Sequence, residues 1–214
     1  MHFDMSETTP NSIYNLIIGL VVPRPIALVT TQNLQGQLNC APFSSYNYLS
    51  TDPPVIGLGV ASRAGPGIHP KDTAQNILDT KEFVVNVVTE EIMQKMNVCA
   101  IDFPPDVNEL EEAGFETEPS VKISVPRIRG IHAALECRHL TTMQVGRSHI
   151  VLGEVLSMFV ADQFVDLKGP YILAEEMHNV GRANGLGSYV RTRDSFFKMP
   201  RIKHADWVKD KSSK

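Results

Sequence analysis

Two cations flank a glycine-rich stretch, ASRAGPGIHPKDTAQNI, at residues 61–77. Arg63 precedes the glycines and Lys71 follows them, at what reads as the start of a helix. A helix N-terminus presents unpaired N–H groups and the positive end of its dipole, so it stabilises an anion. The hydroxyls of Ser62 and Thr73 add donors suited to phosphate oxygens. The stretch therefore predicts a phosphate site.

A second interpretation fits the same residues. Gly65 and Gly67 would then only make a turn, and the two cations would be solvated. Asp72 is better explained as the residue that caps the helix than as a ligand. The stretch contains neither a Walker A loop nor a Rossmann glycine pattern. A nucleotide bound here would therefore need another fold.

A second polar stretch lies at 30–50, TTQNLQGQLNCAPFSSYNYLS. Its small polar residues Asn39 and Ser44 stand near the start of a strand, with Ala41 and Pro42 between them. This composition lets a planar heterocycle lie close to the backbone. The alternative is a polar strand edge that Pro42 keeps from pairing.

Composition limits the class of protein. The chain has 214 residues, of which 43% are hydrophobic and 21% charged, and these values predict a globular protein of one domain. A net charge of −4 disfavours nucleic acid as a partner. The N-terminus does not resemble a signal peptide, and the apolar segment 13–22 is too short to span a membrane. Three widely spaced cysteines argue against disulfides, so we expect a cytoplasmic protein.

Strand patterns outnumber helix patterns along the chain. Helices are predicted at 71–80, 90–101 and 108–114. Strands are predicted at 25–31, 38–50, 54–62, 82–89, 132–146 and 148–162. The fold class is therefore mainly β, a β-barrel with a few short helices.

The strand at 148–162 is apolar on both faces. One face carries Ile150, Leu152, Leu156, Met158 and Val160, and the other carries Val151, Val155 and Phe159. A barrel wall with one solvated face needs fewer apolar residues, so the second face is expected to meet a partner subunit. Which face points outward stays open, because a shift of one residue exchanges them.

Several motifs in fixed order resemble the flavin reductase-like, FMN-binding split-barrel family, which includes flavoredoxin-type proteins. They are V-T-T, G-x-x-N-x-A-P-x-S, D-P-P, S-R, K-D-T-x-x-N-I and F-V-V-N-V. The resemblance implies a six-stranded antiparallel split barrel that forms a homodimer and holds FMN near the subunit interface. It covers roughly residues 10–190. We therefore expect one FMN-binding domain at 1–190 and a basic tail at 191–214.

The resemblance also assigns roles to residues. Those implied to line the isoalloxazine ring or the ribityl chain are Thr30, Thr31, Asn39, Ala41 and Ser44. Those implied to hold the phosphate are Ser62, Arg63, Lys71, Asp72 and Thr73. Arg182 and Tyr189 follow the family's C-terminal pattern and would either close over the flavin or pack at the dimer interface.

His149 is the candidate catalytic residue, because reductases of the family carry a histidine near the nicotinamide or the flavin. Their G-D-H segment is replaced here by GRSH, with Ser148 at the acidic position. A packed or surface histidine is the alternative. Cys40 has no cysteine partner in a C-x-x-C motif and is interpreted as small packing. The histidines lack metal-ligand spacing, so no metal is expected.

Three functions remain open at this stage. The first is an FMN oxidoreductase that takes hydride from NADH or NADPH, with a flavin-dependent monooxygenase or another redox protein as acceptor. The second is a flavoredoxin-like electron carrier, and the third is an FMN-binding protein without turnover. A cofactor scaffold does not by itself identify the electron donor.

Overall fold

A seven-stranded antiparallel sheet forms the split barrel, one strand more than the six expected. The computed structural model describes residues 1–104, 107–169, 171–185, 187–194, 196, 199 and 204. The strands are β1 (Ala27–Gln32), β2 (Leu38–Phe43), β3 (Tyr46–Thr51), β4 (Pro54–Ala61), β5 (Glu82–Val87), β6 (Ala133–Val145) and β7 (Ser148–Val160). Their order across the sheet is β2-β1-β5-β6-β7-β4-β3.

The additional strand arises because the predicted strand 38–50 is interrupted. β2 ends at Phe43 and β3 begins at Tyr46, so the two serines between them form a corner. The carbonyl of Ser45 accepts the N–H of Gly59 at 2.7 Å, which ties this corner to β4. The interruption places β2 and β3 at opposite edges of the sheet.

Three short ladders accompany the main sheet. The first joins Arg24–Pro25, Val180–Arg182 and Tyr189–Arg191; the others pair Thr117–Glu118 with Arg127–Ile128 and Val165–Asp166 with Tyr171–Ile172. Short 3₁₀ turns occupy Glu90–Ile92, Asp162–Phe164 and Thr192–Asp194. The remainder of the predicted basic tail lies almost wholly outside the described residues.

The helices are α1 (Pro10–Leu20), α2 (Asp72–Thr80), α3 (Met93–Val98) and α4 (Glu109–Glu112). The last three correspond to predicted helices with shorter bounds. Sequence patterns missed α1, which Thr9 caps by accepting the N–H of Ser12 at 3.3 Å. Its apolar residues Ile13, Leu16, Ile17 and Leu20 follow helical spacing, but Ile18 is the only buried residue of the helix. Among the described residues, no helix is long and apolar enough to cross a bilayer.

Core packing covers both faces of β1 and β5. On one face, Val29 and Phe83 pack with Ile77 of α2. On the other face, Leu28 and Val84 belong to a cluster that also contains residues of α3 and α4. Strands buried on both sides explain the continuous apolar runs in the sequence.

The hairpin of β6 and β7 resolves the register question. Val151 and Val155 lie in the core, whereas Met158 is 61% exposed. Phe159 packs against the other core cluster, because a bulge between Val155 and Ser157 exchanges the faces of the strand. The guanidinium carbon of Arg127 lies 3.6 Å from the centre of its ring. The prediction that Phe159 shares a face with Val151 and Val155 is therefore wrong. Leu152 lies on the face opposite to these valines, and beyond the bulge Met158 is exposed.

Candidate functional site

A cavity of about 660 Å³ opens in the gap between β2 and the end of β4. Its walls come from β2, from the glycine-rich loop after β4, from the first turn of α2 and from the segment after α3. Seven residues predicted from sequence to bind the cofactor line it: Asn39, Ala41, Ser62, Arg63, Lys71, Asp72 and Thr73. The volume is in the range of pockets for small molecules and cofactors.

The N-terminus of α2 forms one wall of the cavity. Its N-cap is Lys71, whose extended backbone precedes the helix and whose side chain makes no capping hydrogen bond. The prediction that Asp72 caps the helix is therefore wrong, because its carboxylate is held by the guanidinium of Arg63 instead. A helix start without a side-chain cap leaves its first N–H groups available to a ligand.

Ser62 supplies a buried polar atom at the same end of the cavity. Its Oγ is buried and, within the described residues, has no hydrogen-bond partner. The backbone of Ser62 is fixed by its N–H, which donates to the carbonyl of Arg147 at 2.8 Å. Since buried polar groups are normally paired, this hydroxyl fits a site that is completed by a ligand.

The two predicted phosphate cations are both paired with carboxylates. Arg63 contacts Asp72, and Lys71 Nζ lies 3.1 Å from Asp102 Oδ1. The Asp102 side chain is 92% exposed, so this second pair is open to solvent screening. An anion at the start of α2 would compete with these carboxylates for the two cations.

Arg147 is a lining residue that sequence analysis did not single out. Its guanidinium donates to the carbonyls of Arg63 and Gly67 at 2.7 Å each and to that of Gly65 at 3.2 Å. Gly65 and Gly67 have φ of 111° and 78°, so the loop follows a path that other residues rarely adopt. Arg147 therefore holds the glycine-rich loop in shape. Arg147 belongs to the GRSH stretch, in which the sequence analysis considered only the histidine and the serine before it.

A polar network fixes β2 against α2. Asn39 Nδ2 donates to the hydroxyls of Thr73 at 3.0 Å and Thr31 at 3.3 Å. The Thr31 hydroxyl also accepts a bond of 3.1 Å from Asn76 Nδ2. Thr31 thus lies one hydrogen bond behind the lining and orients Asn39.

Glu109, at the start of α4, is a second lining residue that sequence analysis missed. Its Oε2 accepts the backbone N–H of Cys40 at 3.1 Å, a donor on the edge strand β2. Partial burial raises the pKa of the Glu109 carboxyl above its ordinary value. Backbone N–H groups of Glu109 itself and of Cys40 oppose this pKa rise, and the nearby charge of Asp72 adds to it.

Six residues assigned to the cofactor or to catalysis do not line this cavity: Thr31, His149 and the four described next. Thr30 is fully buried and donates to the carbonyl of Pro126 at 2.9 Å. Ser44 accepts a bond of 3.3 Å from Arg24. Arg182 and Tyr189 contact each other within the three-stranded ladder, where the guanidinium carbon lies 4.7 Å from the centre of the tyrosine ring.

His149 also lies outside the cavity lining. It is 6% exposed, and its Nδ1 has no hydrogen-bond partner among the described residues. On β7 it stands between Val60 of β4 and Gln144 of β6. His149 is therefore a buried residue of the sheet that does not line the cavity.

Cys40 is fully buried in the core next to the site. Burial first, and then contact with the Cys99 thiol, raises its pKa well above the ordinary value. Such a thiol is mostly protonated at neutral pH and is a poor nucleophile. Within the part of the chain that the structure describes, no group of three or more histidine, cysteine or acidic side chains is arranged to hold a metal.

Comparison with known proteins yields one family and several relatives. The model of the flavin reductase-like domain matches residues 19–176. An uncharacterized protein of Aquifex aeolicus is 40% identical over 185 residues, which are 86% of this chain and 93% of that protein.

Two solved structures share the fold over most of their length. The 2-nitrobenzoate 2-nitroreductase NbaA of Pseudomonas fluorescens is 35% identical with a TM-score of 0.84, covering 94% of this chain and 96% of its own. Component B of the nitrilotriacetate monooxygenase of Bacillus cereus is 29% identical with a TM-score of 0.86, covering 92% and 98%.

Proposed function

Because the chain belongs to the flavin reductase-like domain family, we propose that it is an FMN-dependent oxidoreductase that takes hydride from NADH or NADPH. Its flavin-binding fold supports a flavin as cofactor. The observation that carries the proposal is the cavity beside α2, where cations, helix N–H groups and the unpaired Ser62 hydroxyl converge.

The residues of the cavity fit the two ends of FMN. Arg63, Lys71, Ser62 and Thr73 would hold the phosphate, with the start of α2 adding N–H donors. Asn39 and Ala41 on β2 would line the flavin ring or ribityl chain. Bound FMN would supply the hydride chemistry, while the chain supplies binding, orientation and charge.

The choice of FMN over FAD follows from the same residues. The charges at 62–73 suit a terminal phosphate dianion, and no stretch of the sequence resembles a dedicated adenine site. We therefore expect FMN to bind more tightly than FAD. Calorimetric titration of the apoprotein with each flavin tests this, and a tighter dissociation constant for FAD would contradict the assignment of the phosphate site.

A partner that consumes the electrons is suggested by the solved relatives. One is named as a nitroreductase and another as a monooxygenase component. We propose that this chain acts as a homodimer and passes electrons to a small acceptor or to a flavin-dependent oxygenase. The exposed apolar residues of the β6–β7 hairpin support an interface between subunits; they are Leu140, Met143 and Val145 of β6 and Met158 of β7.

Anaerobic reduction tests the proposed reaction. The protein loaded with FMN is mixed with NADH or NADPH without oxygen, and flavin absorbance is followed in time. Fast bleaching by either nucleotide is the expected result. Slow bleaching together with normal photoreduction would instead indicate an electron carrier or a binding protein.

A further inference from the structure

The cavity is lined by equal numbers of cations and carboxylates, but not all of them form ion pairs. Three cations line it, Arg63, Lys71 and Arg147, and three carboxylates do the same, Asp72, Asp102 and Glu109. Arg63 pairs with Asp72, and Lys71 pairs with Asp102. Within the described residues, Glu109 is in no ion pair.

Glu109 lies at the end of the cavity that α2 forms. It shares the lining of a smaller neighbouring pocket with Asn39, Asp72 and Asn76, so it stands between β2 and the first turns of α2. The groups that act on its carboxyl are the N–H groups of Cys40 and of Glu109 itself and the carboxylate of Asp72 from α2. The Cys99 thiol donates to the main-chain carbonyl of Glu109 at 3.7 Å. None of these supplies a positive charge.

A phosphate seated at the start of α2 would therefore meet an unpaired carboxyl group. An ionised Glu109 would repel it, whereas a protonated Glu109 would be neutral and able to donate a hydrogen bond. We propose that Glu109 couples binding of the FMN phosphate to the uptake of a proton, an inference that rests on the proposed function. Glu109 thus sets the pH dependence of phosphate binding.

The direction of the pH effect follows from the charges. Partial burial already raises the pKa of Glu109 in the free protein, and an added anion raises it further. Between those two pKa values, binding takes up a proton, so affinity falls as the pH rises through that window. The FMN phosphate itself loses its second proton near a pKa of about 6, which strengthens its attraction to cations as the pH rises. These two pH effects oppose each other. A variant in which residue 109 cannot ionise is therefore needed to separate them.

Glu109→Gln is that variant. Its amide oxygen can still accept the Cys40 N–H, so the bond to the edge strand is kept. Glu112→Gln is the matched control, because it removes one charge from the same helix at an exposed position outside the cavity lining. Calorimetric titrations of FMN into each apoprotein, in two buffers of different ionisation enthalpy, measure the protons taken up. Riboflavin, which lacks the phosphate, is titrated in parallel.

We expect wild type and Glu112→Gln to take up more protons with FMN than Glu109→Gln does. At pH values above both pKa values of Glu109, Glu109→Gln should bind FMN about three- to tenfold more tightly than wild type. A tenfold difference in affinity corresponds to a shift of about one unit in the pKa of Glu109 on binding. Riboflavin affinity should be unchanged. Equal proton uptake in all three proteins, or an equal gain for riboflavin, would overturn the coupling while leaving FMN binding intact. Failure of wild type to bind FMN at any pH would instead overturn the proposed function, and the coupling with it.

Discussion

The side-chain amide of Asn39 donates a 3.0 Å hydrogen bond to the hydroxyl of Thr73, so an edge strand holds the first turn of a helix. The two residues are 34 positions apart in the sequence. Their contact holds the polar stretch on β2 beside the glycine-rich loop that precedes α2, and both line one cavity. The two sequence motifs therefore describe a single site.

Asn39→Ala should weaken both the fold and the site. The substitution removes the bonds to Thr31 and Thr73, and we expect a loss of about 1–2 kcal/mol in the free energy of unfolding. Urea denaturation monitored by circular dichroism measures this loss, and FMN affinity should fall in parallel. Gln35→Ala, at an exposed turn position, is the control and should change neither quantity. Unchanged stability of Asn39→Ala would show that the network contributes little.

Replacing both Arg63 and Lys71 by alanine should separate FMN from riboflavin. Both side chains are partly exposed, so their charge-assisted bonds to a phosphate are screened. We expect FMN affinity to fall about tenfold or more, equivalent to about 1.4 kcal/mol. Riboflavin affinity should stay nearly constant in the same fluorescence titration. An equal loss for both flavins would mean that the two cations support the loop rather than the phosphate.

Asp102→Asn should act in the opposite direction. It frees Lys71 from its carboxylate partner, so the cation becomes available to an anion. Because Asp102 is strongly exposed, we expect only about a twofold gain in FMN affinity at low salt, in line with surface ion pairs. The gain should disappear at high salt. A loss of affinity would contradict competition between Asp102 and the phosphate.

Met158→Asp should weaken self-association if the exposed apolar surface of the β6–β7 hairpin meets a second subunit. The side chain is exposed in the single chain, so the substitution should leave the monomer folded. Sedimentation velocity is expected to show a shift toward monomer, and flavin titration of the same samples should show weaker binding. Leu167→Asp, which is even more exposed and lies outside this strand, is the control. A monomer that keeps wild-type FMN affinity would show that one chain makes the whole site.

Gly153→Ala should destabilise the barrel through overpacking. An added Cβ would lie 2.4 Å from Cζ of Phe83, a fully buried side chain with little room to move. We expect a loss of about 1–3 kcal/mol in the free energy of unfolding. Gly19→Ala is the contrasting variant, since nothing lies within 4 Å of its added Cβ, and it should stabilise α1 by roughly 0.5–1 kcal/mol. Thermal denaturation should show a lower melting temperature for Gly153→Ala and a higher one for Gly19→Ala.

Local patterns in the sequence predicted much of the architecture. Alternation and apolar runs identified the strands, because a strand buried on one face alternates apolar and polar residues and a strand buried on both faces is apolar throughout. The charges and glycines around Arg63 and Lys71 are contiguous in the chain and line one cavity, and the anion site that they indicate stays a prediction. The mainly β class and the family resemblance, both confirmed, also rested on such short stretches of sequence.

Only the tertiary structure decided which distant residues meet. Arg147 holds the glycine-rich loop from a hairpin about 80 positions away, and Glu109 reaches Cys40 across 69 positions. No local spacing records such contacts, because closure of the barrel determines them. The inward face of β7 was likewise undecided by sequence, since both faces are apolar and a one-residue shift exchanges them. Helix α1 was not predicted, although Ile13, Leu16, Ile17 and Leu20 have helical spacing, and only the structure shows that Ile17 and Leu20 stay exposed in the single chain.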